Sequence, residues 1–233
     1  MVRFLRLLLA LALMPLAWGV TCTFADVFRL IPVPEGAIVA PGLLAVLAGM
    51  AAFLAAWILL PAPVRLYVLG HELTHAVWAL AFGARVSSLK VGVAGGSVAV
   101  SKSNVWITLA PYFFPFWTIL VAVAALVTRC FVSPLPWPCA WLFAVGLTWC
   151  FHACFTLRSL MQRQPDIQEY GRVFSYVLIW LFNVAGVIAW IVCTSETRWK
   201  TVWEHLWGHT AAAYGAVYGA LSWLADMIAR RMT

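Results

Sequence analysis

Apolar runs long enough, or nearly long enough, to cross a lipid bilayer recur along the whole of this 233-residue chain. Only 10% of its residues are charged, whereas soluble domains carry about 25%. A membrane-spanning helix needs about 20 consecutive, mainly apolar residues. Six segments are predicted to span on this basis, at residues 7–20, 36–60, 64–83, 105–127, 139–160 and 173–193. The fold class is therefore predicted to be an all-α, multi-pass membrane protein.

The two ends of the chain leave the number of spans open. The run at residues 7–20 follows Arg3 and Arg6, so it is either a signal peptide or an uncleaved first span. Residues 211–229 either form a seventh span or lie on the membrane surface, as the tryptophans and charges before them suggest. The predicted division is into N-terminal membrane helices at 1–62, a core at 63–193 and an interfacial or C-terminal helix at 194–233.

The net charge of +7 does not indicate a nucleic-acid partner, because lysine and arginine stand singly or in pairs between the apolar runs. This distribution is usual in membrane proteins, so the predicted partner is the lipid bilayer. The predicted location is the cytoplasmic membrane. The orientation stays open, because Arg3 and Arg6 conflict with the basic residues that gather beside the core.

One predicted span carries the polar motif HELTH, residues 71–75, in an otherwise apolar helix. His71 and His75 stand four residues apart, so both side chains lie on one face of a helix. Glu72 lies about 100° round from His71, within reach of a water on a metal that the two imidazoles hold. Ionisable residues inside a bilayer are costly and usually functional. The motif therefore predicts a Zn²⁺ ion rather than a chance polar patch.

The pattern HExxH on a helix is typical of zinc hydrolases, in which the histidines bind the metal and the glutamate is the general base. Zinc lowers the pKa of its bound water to about 7, which gives a hydroxide nucleophile at neutral pH. Glu72 is then expected to take the proton of that water and return it to a leaving amine.

The segment after the motif predicts a β-hairpin. Residues 90–101 form two short runs of small and β-branched residues around Gly95 and Gly96. A protease must hold its substrate extended, so an edge strand beside the metal would pair with an unwound segment of substrate. Gly95, Gly96 and Ser97 are therefore predicted to bind substrate, with an ordinary connecting hairpin as the alternative.

These features together resemble the site-2 protease family of intramembrane zinc metalloproteases. The resemblance covers roughly residues 63–192 and rests on HELTH in an apolar helix, the Gly-rich hairpin, a proline-containing fourth span and a later aspartate. It implies hydrolysis of a peptide bond in or near a transmembrane helix of a membrane-protein substrate, by a minimal member without a PDZ domain. It also implies that Asp166 is the third zinc ligand and that Asn104 contacts the substrate.

The residues themselves leave the third ligand open among Asp166, Glu169 and His152, since two histidines leave a zinc site one protein ligand short. Pro165 favours Asp166, because proline suits the first turn of a helix and fixes the backbone beside it. His152 is predicted to lie behind the ligands or to relay protons, with a hydrogen bond to a neighbouring helix as the alternative. His205 and His209 repeat the four-residue spacing, but their sequence HLWGH has no glutamate directly after the first histidine and contains a glycine, so they are predicted to be interfacial.

Three other functions stay open. A non-proteolytic zinc-binding membrane protein of the same fold would hold the metal without hydrolysis. A membrane zinc protease of the type that trims prenylated proteins would use Glu169 as its third ligand. A transporter would use buried histidine and glutamate side chains to relay protons, with no need for a metal.

Overall fold

The computed structural model describes residues 2–37, 39–93 and 95–232, which form helices and one two-stranded sheet. The elements are α1 (Val2–Arg29), α2 (Pro41–Leu59), α3 (Val64–Ala81), β1 (Val86–Gly92), β2 (Gly95–Val100), α4 (Val105–Phe113), α5 (Phe116–Phe131), α6 (Pro138–Leu160), α7 (Pro165–Tyr170), α8 (Arg172–Thr194) and α9 (Trp199–Met232). Contacts divide the chain into two compact units. One combines residues up to 32 with those from 170 onward, and the other runs from 33 to 169.

Four helices, α1, α2, α6 and α8, are long and apolar enough to cross a membrane, and α4 with α5 makes a fifth if the bent pair counts as one span. Among the described residues, α3 does not pass the same test, because Arg65 and the HELTH residues make it too polar. Residues 211–229 form the second half of α9, which does not pass it either. The described residues are therefore mostly helical, with four to five helices that could span a membrane, and the count of six spans stays a prediction.

The fourth predicted span is broken, as its prolines predict. A bend of 76° separates α4 from α5. The break falls at Pro115, which has no amide hydrogen to continue the helix and which holds Phe114 in an extended conformation. Pro111 instead lies inside α4, where it removes one helical hydrogen bond without ending the helix.

In the unit of residues 33–169, α2 and α6 cross at two glycines. A Cβ atom at Gly49 would meet the carbonyl oxygen of Phe143, and one at Gly146 would meet that of Val46. Small residues at such a crossing let two helix backbones touch. Aromatic rings continue this interface at Phe53, Trp57, Phe151 and Phe155.

The hairpin lies between α3 and α4. Its strands pair antiparallel from Val86 opposite Val100 to Gly92 opposite Gly95, with an irregularity between Val86 and Ser88. The first strand starts earlier in the chain than residue 90, where the run of small residues begins. Gly95 has a φ of +135°, a conformation that glycine adopts without strain. Ala94, inside the predicted hairpin, lies outside the described residues.

Candidate metal centre

Three predicted ligands, His71, His75 and Asp166, come together in the unit of residues 33–169. The Nε2 atoms of His71 and His75 lie 3.6 and 3.7 Å from Asp166 Oδ2. One ligand atom from each residue lies within 4.8 Å of the other two. Two imidazole nitrogens and one carboxylate oxygen form a donor set that zinc accepts in proteins, with a fourth position left for water. The residues present therefore fit a zinc ion.

Two helices supply these ligands. Both histidines lie on α3, one turn apart, whereas Asp166 is the second residue of the short helix α7. That helix begins at Pro165, as the fixed φ angle of proline favours. Glu169 stands one turn later on α7 and lines the same cavity. Among the described residues, however, Asp166 is the carboxylate that joins the two histidines.

The structure holds His75 in the tautomer that a metal ligand needs. Its Nδ1 lies 2.7 Å from the carbonyl oxygen of Ile107. A carbonyl only accepts, so the neutral ring carries its hydrogen on Nδ1. The other nitrogen, Nε2, then keeps its lone pair on the side of Asp166.

Pro111 explains why this carbonyl is available. In a regular α-helix the carbonyl of Ile107 would accept from the amide of residue 111. Proline has no amide hydrogen, so the helix itself leaves the Ile107 oxygen without that donor. The imidazole of His75 supplies the hydrogen instead. A proline inside α4 thus orients a histidine on α3.

Tyr67 supports His71 from one helical turn earlier on α3. Its hydroxyl oxygen lies 3.3 Å from His71 Nδ1 and 2.6 Å from Ser159 Oγ. Its ring stacks on Phe155 of α6, with 4.5 Å between the centroids. If His71 donates from Nδ1 to Tyr67, the tyrosine donates to Ser159, and His71 Nε2 keeps its lone pair for a metal.

Tyr112 contacts both a histidine and the aspartate. Its hydroxyl donates a hydrogen bond of 3.0 Å to Asp166 Oδ2. Its ring packs edge-on against His71, with 5.3 Å between the centroids. The side chain is fully buried. A hydrogen bond of this kind orients a ligating carboxylate, and such outer contacts are worth about 10- to 100-fold in metal affinity.

Neither tyrosine is among the site residues predicted from the sequence. An aromatic residue in an apolar helix is ordinary, so neither residue stands out by composition. The available signals are positional, since Tyr67 precedes His71 by four residues and Tyr112 directly follows the internal proline of α4. Each position places a hydroxyl near the ligands only once the packing of α3, α4 and α6 is known.

Glu72 lies in the same cavity, against the hairpin. The cavity has a volume of about 630 Å³. Glu72 is only 7% exposed. A Cβ atom at Gly96 would come within 2.7 Å of Glu72 Cγ and 2.6 Å of Val68 Cγ1. Only a glycine at this position therefore lets β2 lie so close to α3.

Of the five remaining predicted site residues, three line the cavity and two do not. Gly95, Gly96 and Ser97 line the cavity. Asn104 caps the start of α4, where its side-chain oxygen accepts from the amides of Trp106 and Ile107 at 2.9 and 3.0 Å. His152 is buried in α6. Neither Asn104 nor His152 is among the residues that line the cavity.

Comparison with protein-family models finds no match for this chain. Comparisons with curated proteins and with solved structures likewise find no match. A function for this chain is therefore inferred from the geometry of the site itself.

Proposed function

We propose that this chain is an intramembrane zinc endopeptidase that hydrolyses a peptide bond in or near a transmembrane segment of a membrane-protein substrate. The observation that carries the proposal is that His71, His75 and Asp166 converge in a cavity that also holds Glu72. A zinc ion held by those three residues would supply Lewis-acid activation of water near neutral pH.

Glu72 is the general base in this proposal. It follows His71 directly on α3, so its carboxylate shares the cavity with the ligands without being one of them. It would accept a proton from the attacking water and deliver that proton to the leaving amine. Its burial beside Gly96 keeps the proton transfer away from bulk water.

The substrate would bind along β2. Within the described residues this strand pairs with β1 alone, and its residues Gly95, Gly96 and Ser97 line the cavity. An extended segment of substrate could add to such an edge through backbone hydrogen bonds. A helical segment offers no free backbone groups for this pairing, so the substrate would unwind before cleavage.

The proposal also places the site within the bilayer of the cytoplasmic membrane. Under this proposal α3 crosses the membrane as a sixth span, in addition to the five candidates. Its polar residues face the cavity rather than lipid. His71 and Glu72 line that cavity together with Tyr67 and Ser159, whose hydroxyl groups hydrogen-bond to each other. Burial of ionisable side chains inside protein is the arrangement that membrane-spanning helices require.

One pair of variants tests this function. Purified protein in lipid vesicles should contain zinc and cleave a reporter that carries a transmembrane helix. Glu72→Gln should keep the zinc and lose cleavage by about 10²-fold or more, the usual contribution of a general base. Glu35→Gln, which changes an exposed glutamate, is the matched control and should cleave normally.

Each rival function gives a different result. Wild-type cleavage in Glu72→Gln would contradict the proposed mechanism, and protein without stoichiometric zinc would contradict the metal site. Zinc without cleavage of any helical substrate would support a non-proteolytic protein of the same fold. Ion flux that survives chelation would support a transporter.

A further inference from the structure

A second cluster of metal-binding side chains lies in the unit that combines residues up to 32 with those from 170 onward. Asp26 of α1 meets His205 and His209 of α9 there. Asp26 Oδ2 lies 3.0 Å from His205 Nδ1 and 2.7 Å from His209 Nε2. The three ligand atoms lie within 4.8 Å of one another. The sequence predicts these histidines to be interfacial and gives no sign of an aspartate partner.

The packing of α1 on α9 builds this cluster. Three contacts recur along α1 at intervals of seven residues, which places them on one face of the helix. Tyr214 donates to the carbonyl of Ala12, and Gly19 lies against Thr210, where a Cβ atom would meet that residue. Asp26 then meets His205 and His209. Residue numbers rise along α1 as they fall along α9, so the helices run antiparallel and the register fixes all three contacts.

The two clusters contain most of the histidines and aspartates of the chain. It has five histidines and three aspartates, Asp26, Asp166 and Asp226. The two clusters contain four of the histidines and two of the aspartates. In each cluster one helix presents two histidines at a four-residue spacing and a second helix presents the aspartate. Imidazole nitrogen and carboxylate oxygen together suit zinc and similar divalent transition metals.

The distances in the second cluster are those of hydrogen bonds to the aspartate. Zinc bonds of about 2.0–2.2 Å place tetrahedral ligand atoms about 3.4 Å apart. Binding of zinc would therefore move the histidine nitrogens and the aspartate oxygen apart by about half an ångström and displace the hydrogens that they share. The side chains have room to do so, with both histidines 36% exposed and Asp26 26% exposed. Arg29 contacts the other oxygen of Asp26 from a side chain that is 76% exposed, so it can withdraw.

We infer that Asp26, His205 and His209 form a second binding site for a divalent transition metal such as Zn²⁺, which ties α1 to α9. The site differs from the cavity site in its exposure, because the side chains of His71 and His75 are only 13% exposed. Its metal therefore exchanges with solvent more readily, and a chelator removes it first. This site does not depend on the proposed protease activity.

Zinc stoichiometry tests the inference. Full-length protein is stripped with chelator, titrated with Zn²⁺ alone and assayed for bound metal. The wild type should bind two ions per chain, and the double variant His205→Ala/His209→Ala should bind one. Asp26→Asn should also bind one, and Glu204→Gln, which changes an exposed acid on the same helix, should bind two. The inference would be overturned if His205→Ala/His209→Ala still binds two ions. It would also be overturned if the wild type binds one ion and loses it when His71 and His75 are replaced.

A second measurement covers the case in which a variant at α9 fails to fold. The double variant His71→Ala/His75→Ala keeps the second cluster intact, so it should bind one Co²⁺ ion and show the visible absorption of cobalt in a tetrahedral site. Adding Asp26→Asn to it should abolish that absorption while the helix content by circular dichroism stays the same. Absence of cobalt absorption in the double variant would show that the cluster is hydrogen-bonded only, and would overturn the inference.

The proposed protease site could fail independently, since a wild type with one ion that depends on His205 and His209 would contradict only the cavity site.

Discussion

Gly96 of β2 lies so close to Glu72 of α3 that a Cβ atom on the glycine would come within 2.7 Å of the glutamate Cγ. The strand proposed to bind substrate and the residue proposed to be the base are therefore positioned by the same contact. A change at Gly96 is expected to move both.

Gly96→Ala should lower cleavage by about 10²-fold, because a displacement of about 1 Å at a catalytic site costs that much. The kinetic constant kcat/KM for a reporter with a transmembrane helix, measured with bound zinc, checks this. Zinc content should not change, since the three atoms nearest to the added Cβ belong to Val68, Glu72 and Lys90, which are not proposed ligands. Ser88→Ala, an exposed position on β1, is the control. Normal cleavage by Gly96→Ala would show that β2 does not need its close approach to Glu72.

Asp166→Asn should abolish tight zinc binding in the cavity, whereas Glu169→Gln should leave it largely intact. The reason is geometric, because Asp166 Oδ2 lies 3.6 and 3.7 Å from the two histidine nitrogens, and Glu169 does not join that cluster. Metal analysis of both variants after mild chelation measures the difference. The two residues lie one turn apart on α7, so each serves as control for the other. The reverse result would make Glu169 the third ligand and favour the rival class of membrane zinc protease.

Tyr112→Phe should weaken zinc binding in the cavity by about 10- to 100-fold without preventing it. The variant removes only the hydroxyl that donates to Asp166 Oδ2, and the buried ring can stay in place against His71. Competition with a chelator of known affinity measures the change. Tyr218→Phe removes an exposed hydroxyl on α9 and should bind zinc as the wild type does. An unchanged affinity in Tyr112→Phe would mean that Asp166 is held by other contacts.

Pro111→Ala should also weaken zinc binding, but by adding a hydrogen-bond donor, whereas Tyr112→Phe removes one. The variant adds a backbone amide hydrogen, which can donate to the carbonyl of Ile107 and compete with His75 Nδ1. His75 would then lose the contact that fixes its tautomer and ring orientation. Pro15→Ala, which also removes a proline from inside a helix, is the control. Zinc affinity equal to that of the wild type in Pro111→Ala would refute this role of the proline.

Gly146→Ala should destabilise the protein by about 1–3 kcal/mol, because the added methyl group has no space against the backbone of Val46. Unfolding of the protein in mixed micelles by a denaturing detergent measures this. Gly186→Ala in α8 is a matched control, since nothing lies within 4 Å of its added Cβ atom. That variant should be neutral or gain up to about 1 kcal/mol from its better helix propensity. Equal stability of the two variants would mean that α2 and α6 do not pack through these glycines.

Much of the local structure could be predicted from the sequence, because the deciding interactions are local. The four-residue spacing of His71 and His75 needs only a helix, and the break at Pro115 needs only the missing amide hydrogen. The glycine pair predicts a hairpin here, but the turn falls earlier than predicted, since Gly95 and Gly96 lie in β2 and Gly95 pairs with Gly92. Pro165 begins α7 as its fixed φ angle favours.

The rest could not be predicted, because it depends on contacts between distant parts of the chain. His205 lies 179 residues from Asp26 in sequence, and no pattern within α9 identifies that partner. The same holds for Tyr112, which lies 54 residues from Asp166. Asn104 shows the opposite case, in which a residue expected to contact substrate has its side-chain oxygen engaged in capping a helix.

The open edge of β2 has a pharmacological consequence under the proposed function. A strand pairs with a molecule that presents backbone donors and acceptors in an extended register, so flat or helical compounds would gain little from it. An extended peptide mimic with a zinc-binding group at one end would reach both the strand and the metal ligands in one cavity. At Gly96 the strand lies against Val68 and Glu72, with no room for a side chain between them. Selectivity among such inhibitors would therefore come from the side chains that point away from it.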